Sequence, residues 1–159
     1  MYPRILIAID GSRIAARALA EGLALARHLG ADVTIMHAAA AVSGASEDSD
    51  GVLTRTQSRI ALMAEVSHEA TAELLDEARA AAKAAGVEAV TVLVESHHPA
   101  KAIVETADEV GAGLIVMGTH GRRGFAGLRI GSQTASVLQY STVPVLAIRG
   151  EDAPPAPGA

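Results

Sequence analysis

With 159 residues, 50% of them hydrophobic, and a formal net charge of −5, the chain can bury one core and is too apolar to be disordered throughout. Its three aromatics (Tyr2, Phe125 and Tyr140) and its acidic balance exclude a nucleic-acid binder, which needs stacking platforms and basic surface. It has no cysteine, which removes disulfides, thiolate metal sites and cysteine nucleophiles from consideration.

The apolar run in MYPRILIAID is far shorter than the ~20 residues of a membrane span, and the segment has no signal-peptide pattern. The expectation is a cytoplasmic chain with no membrane partner. Within this segment Arg4–Ile9 is continuously apolar, as in strands buried on both faces of a parallel sheet. A helical pattern follows from Ser12 to Leu29, with Leu19, Leu23 and Ala26 on one face, and Gly30 ends it. Val33–Ala38 reads as a second strand. Residues 40–57, rich in Ala, Ser, Gly and Asp, read as a long loop, either functional or disordered. A second helix is expected over Ser58–Ala85, stopped by Gly86, and a third strand over Ala89–Val94. Pro99 suits the first turn of a helix running to Val110. Leu114–Met117 is the fourth strand, Gly118–Gly131 a glycine-rich loop, Ser132 the start of the last helix and Val143–Ile148 the last strand. The tail EDAPPAPGA reads as disordered, leaving residues 1–150 as one domain without internal repeats. Strands alternating with helices argue for a parallel sheet with helices on both faces and right-handed crossovers.

The loop GTHGRRGFAGLRIGS (residues 118–132) carries the chemistry. It leaves a strand and enters a helix, so it lies at the carboxyl ends of the strands, where open parallel sheets bind ligands. Glycines let backbone N–H groups approach a phosphate closely, and the helix N-terminus adds donors and partial positive charge. Ser132 can cap that helix or turn its hydroxyl to a phosphate; Arg122 and Arg123 add local positive charge. The competing reading is a flexible surface loop, since short glycine patterns are weak signals. Neither a P-loop nor a dinucleotide fingerprint is present: the first strand-to-helix turn reads only Asp10-Gly11-Ser12. The six histidines (His28, His37, His68, His97, His98, His120) form no metal-binding spacing, and His120 within the loop reads as solvent-facing in preference to pointing toward the ligand.

Gly118-x2-Gly121-x9-Gly131-Ser132 matches, without a gap, the ATP-binding motif of universal stress proteins, and the chain resembles that family from about Arg4 to Arg149. Ile7–Ser12, Leu114–Gly124 and Val143–Leu146 carry the rest of the likeness. The resemblance implies one open five-stranded parallel sheet of order 3-2-1-4-5, an α/β fold of Rossmann-like type. It implies ATP as ligand, with Mg2+ bridging the phosphates. By the same resemblance Ala8 and Ile9 lie against adenosine, and the main chain of Ala38 reaches adenine. Met117 packs near the nucleotide, or equally fills the core. Asp10 contacts ribose or helps hold the metal, with a helix N-cap or turn former as the equal alternative. Gly118, Gly121, Gly131 and Ser132 cradle the phosphates, followed by Gln133 and Thr134; Arg122 touches a phosphate or is a solvated surface arginine. Related proteins dimerise through the last strand, so a homodimer through Val143–Ile148 is implied, and exposed apolar edges invite such pairing.

Three functions are compatible with this sequence: an ATP-dependent regulatory module of the stress response, a weak ATPase or phosphotransfer enzyme, and a nucleotide-independent interaction protein. Efficient phosphoryl transfer is not expected, because the loop has no P-loop lysine and no carboxylate between Gly118 and Gly131 to orient a nucleophile.

Overall fold

In the computed structural model, which describes residues 1–40, 55–120 and 130–150 and all their side chains except those of 55–67, strand β1 (Arg4–Ile9) lies at the centre of the sheet. Its unbroken apolar run is the reason: every residue after Arg4 is buried, as a strand covered by helices on both faces requires. Helix α1 (Arg13–Leu29) follows, then β2 (Asp32–Ala39), α2 (Arg55–Ala84), β3 (Ala89–Glu95), α3 (Pro99–Glu109), β4 (Leu114–Gly118), α4 (Ser132–Tyr140) and β5 (Val145–Ile148). All four ladders are parallel and the strand order is β3-β2-β1-β4-β5. The implied topology is therefore the one adopted.

Strand alternation divides the core between two faces. Ile5, Ile7, Ile9, Val33, Ile35, Leu114 and Val116 pack under α1 and α2. Leu6, Ala8, Met36, Ile115 and Met117 pack under α3 and α4, with Ala102, Ile103 and Val137. On α1 the buried stripe is Ala15, Ala18, Gly22, Leu23 and Ala26, small enough to bring the helix onto the sheet. A Cβ at Gly22 would lie 2.7 Å from Cδ1 of Ile7. The expected helix stops are also seen: Gly30 and Gly86 adopt left-handed backbone, φ 63° and 71°, which glycine reaches without a steric penalty.

Two boundaries differ from the sequence expectation by more than one residue. Helix α2 begins at Arg55, three residues before Ser58, since Arg55, Thr56 and Gln57 include no glycine or proline to block extension. Strand β5 begins at Val145, two residues after Val143. There Ser141 donates its hydroxyl to the Val143 carbonyl and accepts from the Val143 amide, forming a turn. Pro144 has no N–H to give the ladder, but its carbonyl accepts from Ile115 N at 3.0 Å. The loop expected over 40–57 is covered only at its two ends: Ala40 is described, 55–57 belong to α2, and 41–54 lie outside the described residues, as does the tail 151–159. Among the described residues no helix is long and apolar enough to cross a membrane.

Candidate functional site

After β1 the chain crosses over to β2 and β3 on one side; β4 and β5 lie on the other. The crevice at the carboxyl ends of β1 and β4 is thus the switch point of the sheet, where open α/β sheets bind ligands. Ala8 is in register with Met36 on one side and Met117 on the other, so Asp10 and Gly118 emerge side by side.

On the β1 side, Asp10 Oδ1 accepts the Ser12 amide at 3.0 Å, and Ser12 Oγ accepts the Ala15 amide at 3.1 Å. Asp10 therefore builds the turn into α1 and Ser12 caps the helix. This turn places Ile14 directly over the end of β4. A Cβ on Gly118 would lie 2.5 Å from Ile14 Cγ2, and one on Gly150 would lie 3.2 Å from Ile14 Cδ1. Gly118 is thus required by helix packing, a cause that the loop sequence by itself does not reveal.

On the β4 side, both ends of the glycine-rich loop are pinned together. Thr119 N donates to Ile148 O at 2.8 Å, extending the ladder past β4, and Gly131 N donates to Thr119 O at 2.7 Å. Thr134 Oγ1 donates to Gly118 O at 2.9 Å. Thr119 Oγ1 and His120 Nδ1 lie 3.1 Å apart, so half-buried His120 is held at the loop base. Gly131, and not Ser132, is the N-cap of α4, and no side chain caps this end. Its first-turn amides and dipole leave a polar helix terminus beside the strand ends. Ser132 and Gln133 are exposed while Thr134 is buried. Gln133 turns toward α3, its Oε1 accepting the Ala100 amide at 3.1 Å. Gly121 and Arg122, expected at the phosphates, lie outside the described residues.

Ala8 and Met117 are buried in the α3/α4 core, with Ala38 half-buried beside them. Ile9 points the other way, into the α1/α2 core, so its side chain and that of Ala8 cannot contact one ligand from the same face. One residue weighed from sequence only as a metal ligand has a structural role at this end. His37 is buried, and its Nδ1–H donates to Ile9 O at 2.9 Å, tying the end of β1 to β2. The signal was present: His37 continues the parity of Val33 and Ile35 toward the covered face. Among the described residues, no group of three or more His, Cys, Asp or Glu side chains is placed to hold a metal ion.

The model of the universal stress protein family matches residues 1–149. The chain belongs to this family. It is 33% identical over 150 residues to universal stress protein YxiE of Bacillus subtilis, covering 94% of this chain and all of that one. A universal stress protein solved in complex with cAMP superposes with a TM-score of 0.68 at 28% identity, covering 93% of this chain and 97% of that one. The Archaeoglobus fulgidus universal stress protein in complex with dAMP superposes with a TM-score of 0.61 at 25% identity, covering 93% and 98%. Universal stress proteins with this sheet thus include nucleotide-bound examples.

Proposed function

We propose that this universal stress protein binds ATP at the β1–β4 switch point and acts in the cytoplasm as a nucleotide-dependent regulatory module of the stress response. The observation that carries the reading is the pairing of Gly131-Ser132 with an uncapped α4 N-terminus at the end of β4. Such a terminus suits an anion. The motif resemblance adds the phosphate contacts, and the cAMP and dAMP complexes of relatives add the adenine nucleotide class. Ser132 and the first-turn backbone that follows it would hold the phosphates, with Gly121 and Arg122 from the loop by the motif resemblance, while Gly131 gives its own amide to Thr119 O. Ala8, Met117 and the Ala38 main chain border the adenosine side.

The described donor set fits such a ligand: backbone amides at the start of α4 and the Ser132 hydroxyl for the phosphates, with the apolar side chains of Ala8 and Met117 at the strand ends. Mg2+ would take its oxygen ligands from the phosphates, water and Asp10, since magnesium in nucleotide sites keeps several waters and few protein carboxylates. Nothing at α4 supplies the lysine clamp or oriented base of efficient phosphoryl transfer, so the nucleotide is bound with slow hydrolysis at most.

Thermal unfolding with Mg-ATP tests this. At 100 times its dissociation constant a ligand adds about 2.7 kcal/mol, a rise of roughly 5–11 °C for a domain of this size. Ser132→Ala, at an exposed position, is expected to lose at least half the rise while keeping the unliganded Tm. No rise for a protein purified free of nucleotide sinks the reading; parallel ADP and cAMP arms define which nucleotide is preferred.

A further inference from the structure

The first turn of α4 contains three consecutive polar residues, Ser132, Gln133 and Thr134, and sequence alone offers all three to the ligand. Their surroundings separate them. Thr134 is 2% exposed, and its hydroxyl donates to the carbonyl of Gly118, the last residue of β4. One turn earlier the Gly131 amide donates to Thr119 O. These two bonds clasp the start of α4 to the end of β4, across the residues that intervene in sequence. Gln133 holds the α3 N-terminus instead.

We propose that Thr134 is the positioning residue of the nucleotide site. Its hydroxyl keeps the first turn of α4 at the crevice, and phosphate contact falls to Ser132 and the backbone. The inference rests on the nucleotide reading above and assigns Thr134 no contact with the ligand. It follows that the hydroxyl matters and the methyl does not. Valine has the shape of threonine but cannot donate, so the bond to Gly118 O is lost. Serine keeps the donor and loses only a methyl group.

The test compares wild type, Thr134→Val and Thr134→Ser by calorimetric titration with Mg-ATP, at a temperature where circular dichroism shows each variant folded. Thr134→Val is expected to weaken binding on the order of tenfold, the scale of one lost hydrogen bond, with Thr134→Ser close to wild type. A role in fold stability alone would lower the Tm of Thr134→Val and leave its affinity unchanged; that result overturns the proposal. If wild type binds no nucleotide, the functional reading has failed, and hydrogen exchange at the amides of residues 131–135 then decides the clasp separately. Faster exchange in the valine variant, restored by serine, supports it; equal exchange in all three overturns it.

Discussion

Gly118 illustrates how one residue can answer to two demands. In the motif it is a phosphate-loop glycine; in the fold it is the floor beneath Ile14 of α1. A methyl group placed 2.5 Å from Ile14 Cγ2 and 3.3 Å from the His120 carbonyl oxygen is not readily relieved by a side-chain swing, because a β-branched residue in a helix has one strongly preferred χ1 rotamer. Overpacking of this kind costs typically about 1–3 kcal/mol. Gly118→Ala is therefore expected to lower the Tm by roughly 2–12 °C without any nucleotide present. Gly131 is roomier, with the nearest atom 3.2 Å from its Cβ position, so Gly131→Ala should perturb the unliganded protein less. The cause is checked by a double-mutant cycle. Ile14→Ala removes the clashing carbon, so the loss from Gly118→Ala should shrink in that background. Additive losses would show that Ile14 is not the reason for the glycine.

At the scale of elements, the strands were legible because a parallel sheet covered on both faces writes itself as apolar runs. Arg4–Ile9 and Leu114–Gly118 are buried almost without interruption. Helix ends at Gly30 and Gly86 were legible for the same local reason. The start of β5 was misread because Val143-Pro144 continues the apolar run but is taken up by the Ser141 turn. Contacts between distant elements left no local trace. Ile14 lies 104 positions before Gly118, and Gln133 lies 33 positions after Ala100. The latter contact is the clearest case, because the N-cap of α3, His98, makes no side-chain cap bond and a neighbouring helix supplies the acceptor. Removing that acceptor by Gln133→Ala should cost about 0.5–1.5 kcal/mol, seen as an earlier urea midpoint with unchanged slope. Gln133→Glu keeps the oxygen and adds negative charge near two helix N-termini, which favours the fold. The same charge repels phosphate. Stability should hold or rise while affinity for Mg-ATP falls, and a fall in both would mean that the Ala100 bond is not kept by glutamate.

For the whole molecule, the two edges of the sheet present different surfaces. Both edges, β3 and β5, expose apolar side chains: Val90 and Leu93 on the first, Leu146 on the second. They are not equivalent. Arg79 reaches across β3 to the Thr91 hydroxyl, and Glu95 at its end stands 3.8 Å from His68. Charged side chains along an edge discourage pairing with another chain. The stretch Ser141–Ile148 holds no charged residue, and β5 packs beside α4, whose Leu138 and Tyr140 are exposed. We propose the β5 edge as the one that self-association would cover, and the homodimer implied by the resemblance would use the same edge. Light scattering at micromolar concentration is expected to give twice the mass of one chain. Leu146→Glu should halve that mass, because a dimer would bring two carboxylates close together at an apolar seam, whereas Val90→Glu on the opposite edge should leave it unchanged. A wild-type monomer, or a dimer broken by the β3 substitution and not by the β5 one, would reverse the assignment. The β5 edge also adjoins the site: Ile148 O receives the Thr119 amide at the base of the loop. A dimer closed over β5 would then stiffen the strand that anchors the loop, so Leu146→Glu should weaken Mg-ATP binding as well as dissociate the protein.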